Sequence, residues 1–287
     1  MSSVGIDPLG SSDSGWSAPA YEPDLTQHLP FRSHPFMPLR DHLSRSACPT
    51  IATIAALSIG SLSQGEVVTL DSIAHGTLYE TSGSPLANGL GSHLFAGNNG
   101  QDLTRRGLIR FNVESLGSNI VVSSATLRLH VSQANASPTD VFLHRVLADW
   151  GVGSTDAPGG EGGGGPATPG SATWNDAFYD TTPWANAGGD FAGGPSAITE
   201  VGGNGWYEWT GDTLAGDIQE MLDGGFGDFG WILLGDESGP STAKRFDSMF
   251  AAEEFRPELV VEFTVVPAPS VASLIALAGL RSRRRRS

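Results

Sequence analysis

"GLIRFNV" (Gly107–Val113) and "SATLRLHV" (Ser124–Val131) are the two stretches of sequence that decide the fold. In both, small or apolar residues alternate with residues of a second set, which includes Arg110 and Arg128. Alternation with a period of two is typical of an antiparallel strand that is buried on one face. Both stretches therefore predict strands that cover an apolar core.

The same period recurs along the middle of the chain, with turn residues between the segments. One short helix is predicted at Thr213–Leu222, where apolar residues share a face and Gly224 follows as a stop. Further strands are predicted at Val67–Leu70, Thr77–Glu80, His93–Ala96, Val141–Val146, Trp206–Thr210, Trp231–Leu234, Lys244–Ser248 and Glu258–Val265. The pattern predicts an all-β domain over residues 65–265, a jelly-roll β-sandwich of antiparallel strands.

Charge is unevenly distributed along the 287 residues, whose formal net charge is -15. Residues 65–265 contain 26 Asp and Glu against 8 Lys and Arg, a net charge of -18 for that segment. Binding to nucleic acid depends on clustered Lys and Arg, so nucleic acid is not an expected partner. The single cysteine, Cys48, leaves no intrachain disulfide.

The N-terminal part of the chain has the three regions of a secretory signal peptide over residues 37–63. Arg40 and Arg45 supply the basic region, Ile51–Ile59 is apolar, and small residues precede a cleavage point between Ser63 and Gln64. A buried helix is the alternative interpretation. Residues 1–36 are polar and aperiodic, and we expect a non-native or disordered extension there, with translation starting at Met37.

The C-terminal residues 266–287 combine an apolar segment with a cluster of five arginines. As a helix, Val271–Leu280 is about 15 Å long, about half of a hydrocarbon core, so we expect transient membrane contact. The stretch "VPAPS", the apolar transmembrane tail and the arginines together resemble a PEP-CTERM sorting signal. Its motif residues here are Val266, Pro267, Pro269 and Ser270. The resemblance implies an exosortase substrate in a bacterial envelope.

The body of the chain also resembles a known family, the DNRLRE-domain proteins. The resemblance runs from about Thr69 to Thr264 and is carried by an ordered set of motifs: "RRGLIRFNV", "SSATLRLHV", "VFLHRVLADWGVG", "ATWNDA", "TPWANAGGDF", "GWYEWTG", "GWILLGDES", "AKRFDS" and "FRPELVVEF". That family is disaggregatase-related and includes carbohydrate-binding modules. It implies a jelly-roll sandwich that is exported and associated with polysaccharide.

Catalytic motifs are weak in this sequence. "GDESG" (Gly235–Gly239) places its serine one position too late for a nucleophile elbow. The pairs Asp236-Glu237 and Glu253-Glu254 are adjacent, and neighbours on a strand point to opposite faces. The histidines of the body lack metal-ligand spacing. We therefore expect no enzyme activity.

Aromatic residues in the segment "ATWNDAFYDTTPWANAGGDF" are candidates for contact with sugar rings. Tyr179 and Trp184 are the predicted contacts, and the alternative is that these rings anchor the loop internally. The glycine-rich stretch Gly151–Ser171 lacks the features of a phosphate-binding loop and predicts a mobile surface loop.

Basic residues provide a second candidate for sugar binding. Arg106, Arg110, Arg128 and His130 leave the core on the same side of their strands, and Lys244 and Arg245 are further candidate members. If the strands are neighbours, these side chains form a positive strip that suits the carboxylates of a uronate-containing polysaccharide. The alternative is that the arginines pair with nearby Asp and Glu.

No cofactor is expected, although calcium is a candidate ligand at Asp190 in "GGDF". The sequence as a whole predicts an exported protein of the bacterial cell-envelope surface or extracellular matrix. It would bind polysaccharide without cleaving it and would meet the export machinery and a processing enzyme of the exosortase type. The alternatives are a structural surface or matrix protein without a sugar site and a polysaccharide-degrading enzyme.

Overall fold

A computed structural model describes residues 65–134 and 137–267 of the chain. The predicted signal peptide, its cleavage residues Ser63 and Gln64, and the sorting residues Pro269 and Ser270 lie outside the described residues. Val266 and Pro267 are described and exposed, and the Val266 amide donates a hydrogen bond to the carbonyl of Asn119. No helix within the described ranges has the length and apolar character needed to cross a membrane.

The described residues form antiparallel strands and one α-helix. The strands are β1 (Gly65–Tyr79), β2 (Leu86–Ala87), β3 (His93–Asn98), β4 (Thr104–Phe111), β5 (Ile120–Ala134), β6 (Thr139–Arg145), β7 (Gly165–Pro166), β8 (Asp176–Phe178), β9 (Thr182–Pro183), β10 (Ala197–Val201), β11 (Gly205–Thr210), β12 (Trp231–Leu234), β13 (Lys244–Asp247) and β14 (Glu258–Val265). The helix α1 is Asp212–Leu222, and single 3-10 turns lie at Val113–Leu116 and Glu253–Phe255. The predicted all-β fold with one short helix is confirmed.

Six strands close into a barrel-like ring in the order β1, β14, β5, β13, β3, β4 and back to β1. Strand β1 belongs to both layers of the sandwich. Its first half pairs with β14 and its second half with β4, and the register shifts between Ser72 and Ala74. A bulge of this kind bends a strand and lets it change partners. Strand β11 extends one layer beside β5, and β12, β6 and β10 extend the other beside β4.

Two apolar clusters hold this fold together. The larger fills the space between the layers and contains the core-facing residues of β4 and β5, such as Ile109 and Leu129, with Trp209 and Trp231. The smaller covers the opposite face of β4, where Leu108 packs among side chains of the long segment that follows β6. Strand β4 is therefore buried on both faces, which alternation in its sequence alone does not indicate.

Candidate functional site

A cleft of about 550 Å³ lies where one end of the barrel meets the glycine-rich loop. Its lining includes the turn after β3, with Asn99 and Gln101, the end of β5 at Gln133, and Arg245 on β13. The opposite wall is the loop segment Pro158–Gly163. Amide groups and a guanidinium thus face one open space, which is the donor and acceptor set that hydroxyl and carboxylate groups of a ligand need.

Arg245 is the charged side chain that the cleft offers to a ligand. It points away from the core, and its Nε donates a hydrogen bond of 3.1 Å to Ser132 Oγ. Within the described part of the chain, no carboxylate lies within 4.0 Å of Arg245 to form a salt bridge. The body carries many more acidic than basic residues, so most arginines are expected to form salt bridges. The absence of one at Arg245 among the described residues distinguishes this cleft as a candidate binding site.

Arg105 also lines the cleft, but its guanidinium is used inside the protein. Its Nε donates to the carbonyl of Gly162 at 3.1 Å, and its Nη1 donates to the carbonyls of Glu80 and Thr104. Burial lowers the pKa of Arg105, and the nearby Tyr79 and Glu80 oppose that effect. Arg105 therefore ties the glycine-rich loop to β4 and is not offered to solvent.

The glycine-rich loop, predicted as a mobile surface loop, is held to the barrel through the side chain of Glu161. Glu161 is only 8% exposed, and its carboxylate accepts hydrogen bonds from the backbone amides of Ser92 and His93 and from Asn88 Nδ2. Burial acts to raise the pKa of Glu161, but hydrogen bonds from His93 and Asn88 outweigh it and lower the pKa below its ordinary value. The buried carboxylate stays charged and holds the loop.

The four side chains predicted to form one positive strip do not come together. Arg106 and Arg110 lie on β4, which pairs with β1, β3 and β12, whereas Arg128 and His130 lie on β5, which pairs with β11, β13 and β14. The two strands are in different layers. The condition on which the strip depended, that these strands are neighbours, is not met.

Each of the three predicted arginines instead has a carboxylate partner. Arg106 makes a two-pronged contact of 2.8 Å to Glu237 and also donates to the carbonyl of Gly188. The other pairs are Arg110 with Asp149 at 2.6 Å, and Arg128 with Glu208 at 3.2 Å and Glu258 at 2.5 Å. The alternative interpretation, pairing with nearby acids, describes all three residues.

Lys244 and Trp184 are buried, unlike the exposed sugar contacts that the sequence predicted, whereas Tyr179 stays a predicted contact. Lys244 is 1% exposed and its Nζ donates to the carbonyl of Ser137. Trp184 is 5% exposed, packs in the smaller apolar cluster and donates from Nε1 to the carbonyl of Thr173. Tyr179 is half-buried. Trp184 is thus an internal anchor of its loop, and Lys244 is part of the interior.

Asp190 closes its own loop. Its carboxylate accepts hydrogen bonds from the backbone amides of Ala185 and Asn186 and from the Asn186 side chain. In residues 65–134 and 137–267, no group of three or more His, Cys, Asp or Glu side chains is arranged to hold a metal ion. Calcium at Asp190 stays a prediction from the sequence.

Trp206 is a surface aromatic that the sequence interpretation did not single out. It lies on the edge strand β11, on the face away from the core, and is 37% exposed. The guanidinium of Arg128 sits 5.1 Å from the centre of its ring, and the His130 ring approaches its edge at 5.5 Å. Alternation in "GWYEWTG" could have identified it, because Trp206 and the buried Trp209 are three residues apart and therefore lie on opposite faces of the strand.

The fold and the cleft define an all-β protein with an open, amide-lined and arginine-lined depression at one end of a barrel. A scan against protein-family models finds no match for this chain, and a search of curated proteins finds none either. The resemblances to the DNRLRE-domain family and to the PEP-CTERM signal therefore stay predictions from the sequence.

Proposed function

We propose that this protein is an exported, non-catalytic polysaccharide-binding protein, and that the glycan binds in the cleft beside Arg245. The observation that carries the proposal is the guanidinium of Arg245, which borders the cleft without a carboxylate partner among the described residues. Arginine pairs with carboxylates through two parallel hydrogen bonds, so a polysaccharide that contains uronate is the ligand class that fits best.

The other groups around the cleft suit the hydroxyl groups of a sugar. Asn99 and Gln101 belong to one turn. The side-chain oxygen of Asn99 accepts hydrogen bonds from the backbone amides of Gln101 and Leu103, and these bonds fix the shape of the turn. Preformed polar groups lose little freedom on binding, which favours affinity. Export rests on the predicted signal peptide and sorting tail, which place such a protein at the cell-envelope surface or in the extracellular matrix.

A binding panel tests the function. The full chain is titrated calorimetrically with polygalacturonate, with alginate and, as the uncharged control, with dextran. We expect heat of binding with at least one uronate polymer and weaker or no binding to dextran. Self-association without binding to any polymer would favour the structural alternative. Release of new reducing ends during incubation would favour the enzyme.

A further inference from the structure

Four ionisable side chains form a continuous row from the glycine-rich loop across the outer face of the barrel. We call Glu161, His93, Asp247 and His130 together the histidine row. His93 Nδ1 lies 3.1 Å from Glu161 Oε1, and His93 Nε2 lies 3.5 Å from Asp247 Oδ1. The other oxygen of Asp247 lies 2.6 Å from His130 Nδ1. Acid and base alternate along the row.

The strand register explains why the row forms. His93 on β3 is the direct partner of Asp247 on β13, and β13 pairs with β5, which carries His130. All three strands turn these residues away from the core. The ring of Phe255 stacks on His130 at a centroid distance of 4.3 Å and covers one of its faces. Asp247 is 4% exposed, so its contacts with the histidines are shielded from water.

Glu161 connects this row to the cleft, because it belongs to the loop that forms the cleft wall. Its backbone has φ of 65°, in the left-handed region that is strained for a residue with a side chain. Such a conformation persists only where surrounding contacts enforce it. Here the carboxylate contacts and the hydrogen bond from Tyr79 Oη to the Glu161 carbonyl enforce it. Weakening them therefore loosens the wall.

Other ionisable groups lie near the histidine row, but they do not neutralise the charges of its members. Near Glu161, the buried His75 of β1 is neutral, since burial lowers its pKa to about 4. Near His130, Arg128 of β5 is already paired with Glu208 of β11 and Glu258 of β14. Arg245 lies two residues before Asp247 on β13 and its Nε is directed to Ser132.

We propose that the histidine row is a pH-dependent strut, which holds the glycine-rich wall of the cleft firmly when His93 and His130 are protonated and loosens it when they are neutral. In the protonated state, two cations alternate with two buried anions. After deprotonation of the histidines, the row has no cation beside its two carboxylate side chains. Any effect on the ligand rests on the proposed function, whereas the strut itself exists without a ligand.

Hydrogen exchange tests the strut on the free full chain. The protection of the Ser92, His93 and Gly164 amides, which bond to Glu161, is measured relative to intrinsic exchange at about pH 5.5 and about pH 8.5. We expect protection to fall by about threefold to tenfold at the higher pH. In His93→Gln the side chain no longer titrates, so protection becomes nearly independent of pH.

Glu161→Gln serves as the second variant, because it removes the charge from the other end of the row, and Glu262→Gln, an exposed site on β14, is the matched control. The control keeps the pH dependence of the unmodified chain. Equal protection at both pH values, or an unchanged dependence in His93→Gln, would overturn the proposal. Since this readout needs no glycan, its failure is distinguishable from a failure of the polysaccharide proposal.

Discussion

At the scale of single residues, burial and pairing decide which side chains serve the fold and which face a ligand. Trp184 and Arg245 are both motif residues in a polar context, yet Trp184 is enclosed by an apolar cluster while Arg245 borders the cleft. Neither the sequence neighbours nor the residue type distinguishes the two cases. The tertiary contacts of each side chain do.

Replacing Trp184 distinguishes two roles for this residue, an internal anchor of its loop and a contact to the sugar. Trp184→Ala removes a buried ring and leaves a cavity, so we expect the free energy of unfolding to fall by about 3–5 kcal/mol in urea titrations. Affinity for a uronate polymer is expected to stay unchanged under conditions where the variant is folded. A large loss of affinity with unchanged stability would restore Trp184 as a ligand contact.

His75 makes stability depend on pH. Its pKa falls from 6.5 to about 4 because of burial, with Gly91 and Glu161 opposing the shift. Between these two pH values, His75 binds a proton in the unfolded chain but not in the folded chain. Its contribution to the free energy of unfolding is therefore fully present above about pH 6.5 and is lost as the pH falls toward 4. The loss amounts to about 3 kcal/mol.

Urea unfolding at about pH 7 and about pH 4.5 measures this loss, with His75→Leu as the variant that cannot titrate. Its free energy of unfolding should fall less between the two pH values than that of the unmodified chain. An identical decrease in both proteins would show that His75 is not responsible.

At the scale of elements, the entrance to β12 depends on a glycine. Gly230 has φ of 73°, and a Cβ atom there would lie 2.1 Å from the carbonyl oxygen of Ile109 on the neighbouring strand β4. We expect Gly230→Ala to lower the free energy of unfolding by more than about 2 kcal/mol, from backbone strain plus the clash.

Gly224, just after α1, provides the matched control for this prediction. Its φ is 76°, but a Cβ atom there meets nothing within 4 Å. Gly224→Ala should therefore cost only the strain of the left-handed backbone, about 1 kcal/mol. Equal losses in the two variants, measured by urea unfolding, would contradict the importance of close approach at β12.

Strand positions and the helix followed from periodicity, whereas pairing did not. The helix predicted at Thr213–Leu222 is observed as Asp212–Leu222, because its apolar residues repeat at helical spacing. The predicted strands Val67–Leu70 and Thr77–Glu80 lie on the single strand β1, which ends one residue earlier, at Tyr79, and continues through a bulge that its sequence does not mark. The neighbours that Arg245 meets among the described residues depend on cross-strand register, which local sequence patterns do not contain.

At the scale of the whole molecule, the proposed function requires an acidic domain to bind an acidic polysaccharide. Residues 65–265 carry a net charge of -18, which repels a uronate chain at distances beyond the contact with Arg245. Added salt reduces the range of that repulsion, since the Debye screening length falls to about 10 Å at an ionic strength of 0.1 M. The association rate should therefore rise when salt increases from about 0.02 M to about 0.15 M, as measured by stopped flow. A steep decrease would indicate a dominant basic surface.

The most direct measurement compares the affinity of Arg245→Gln and Arg256→Gln for a uronate polymer. Arg256 is exposed outside the cleft and loses the same charge on substitution. A hydrogen-bonded pair between arginine and carboxylate is worth about 1.5–3 kcal/mol, so Arg245→Gln should weaken binding by about tenfold to a hundredfold while Arg256→Gln changes it little. Equal effects of the two substitutions, or none from Arg245→Gln, would contradict the assignment of the cleft.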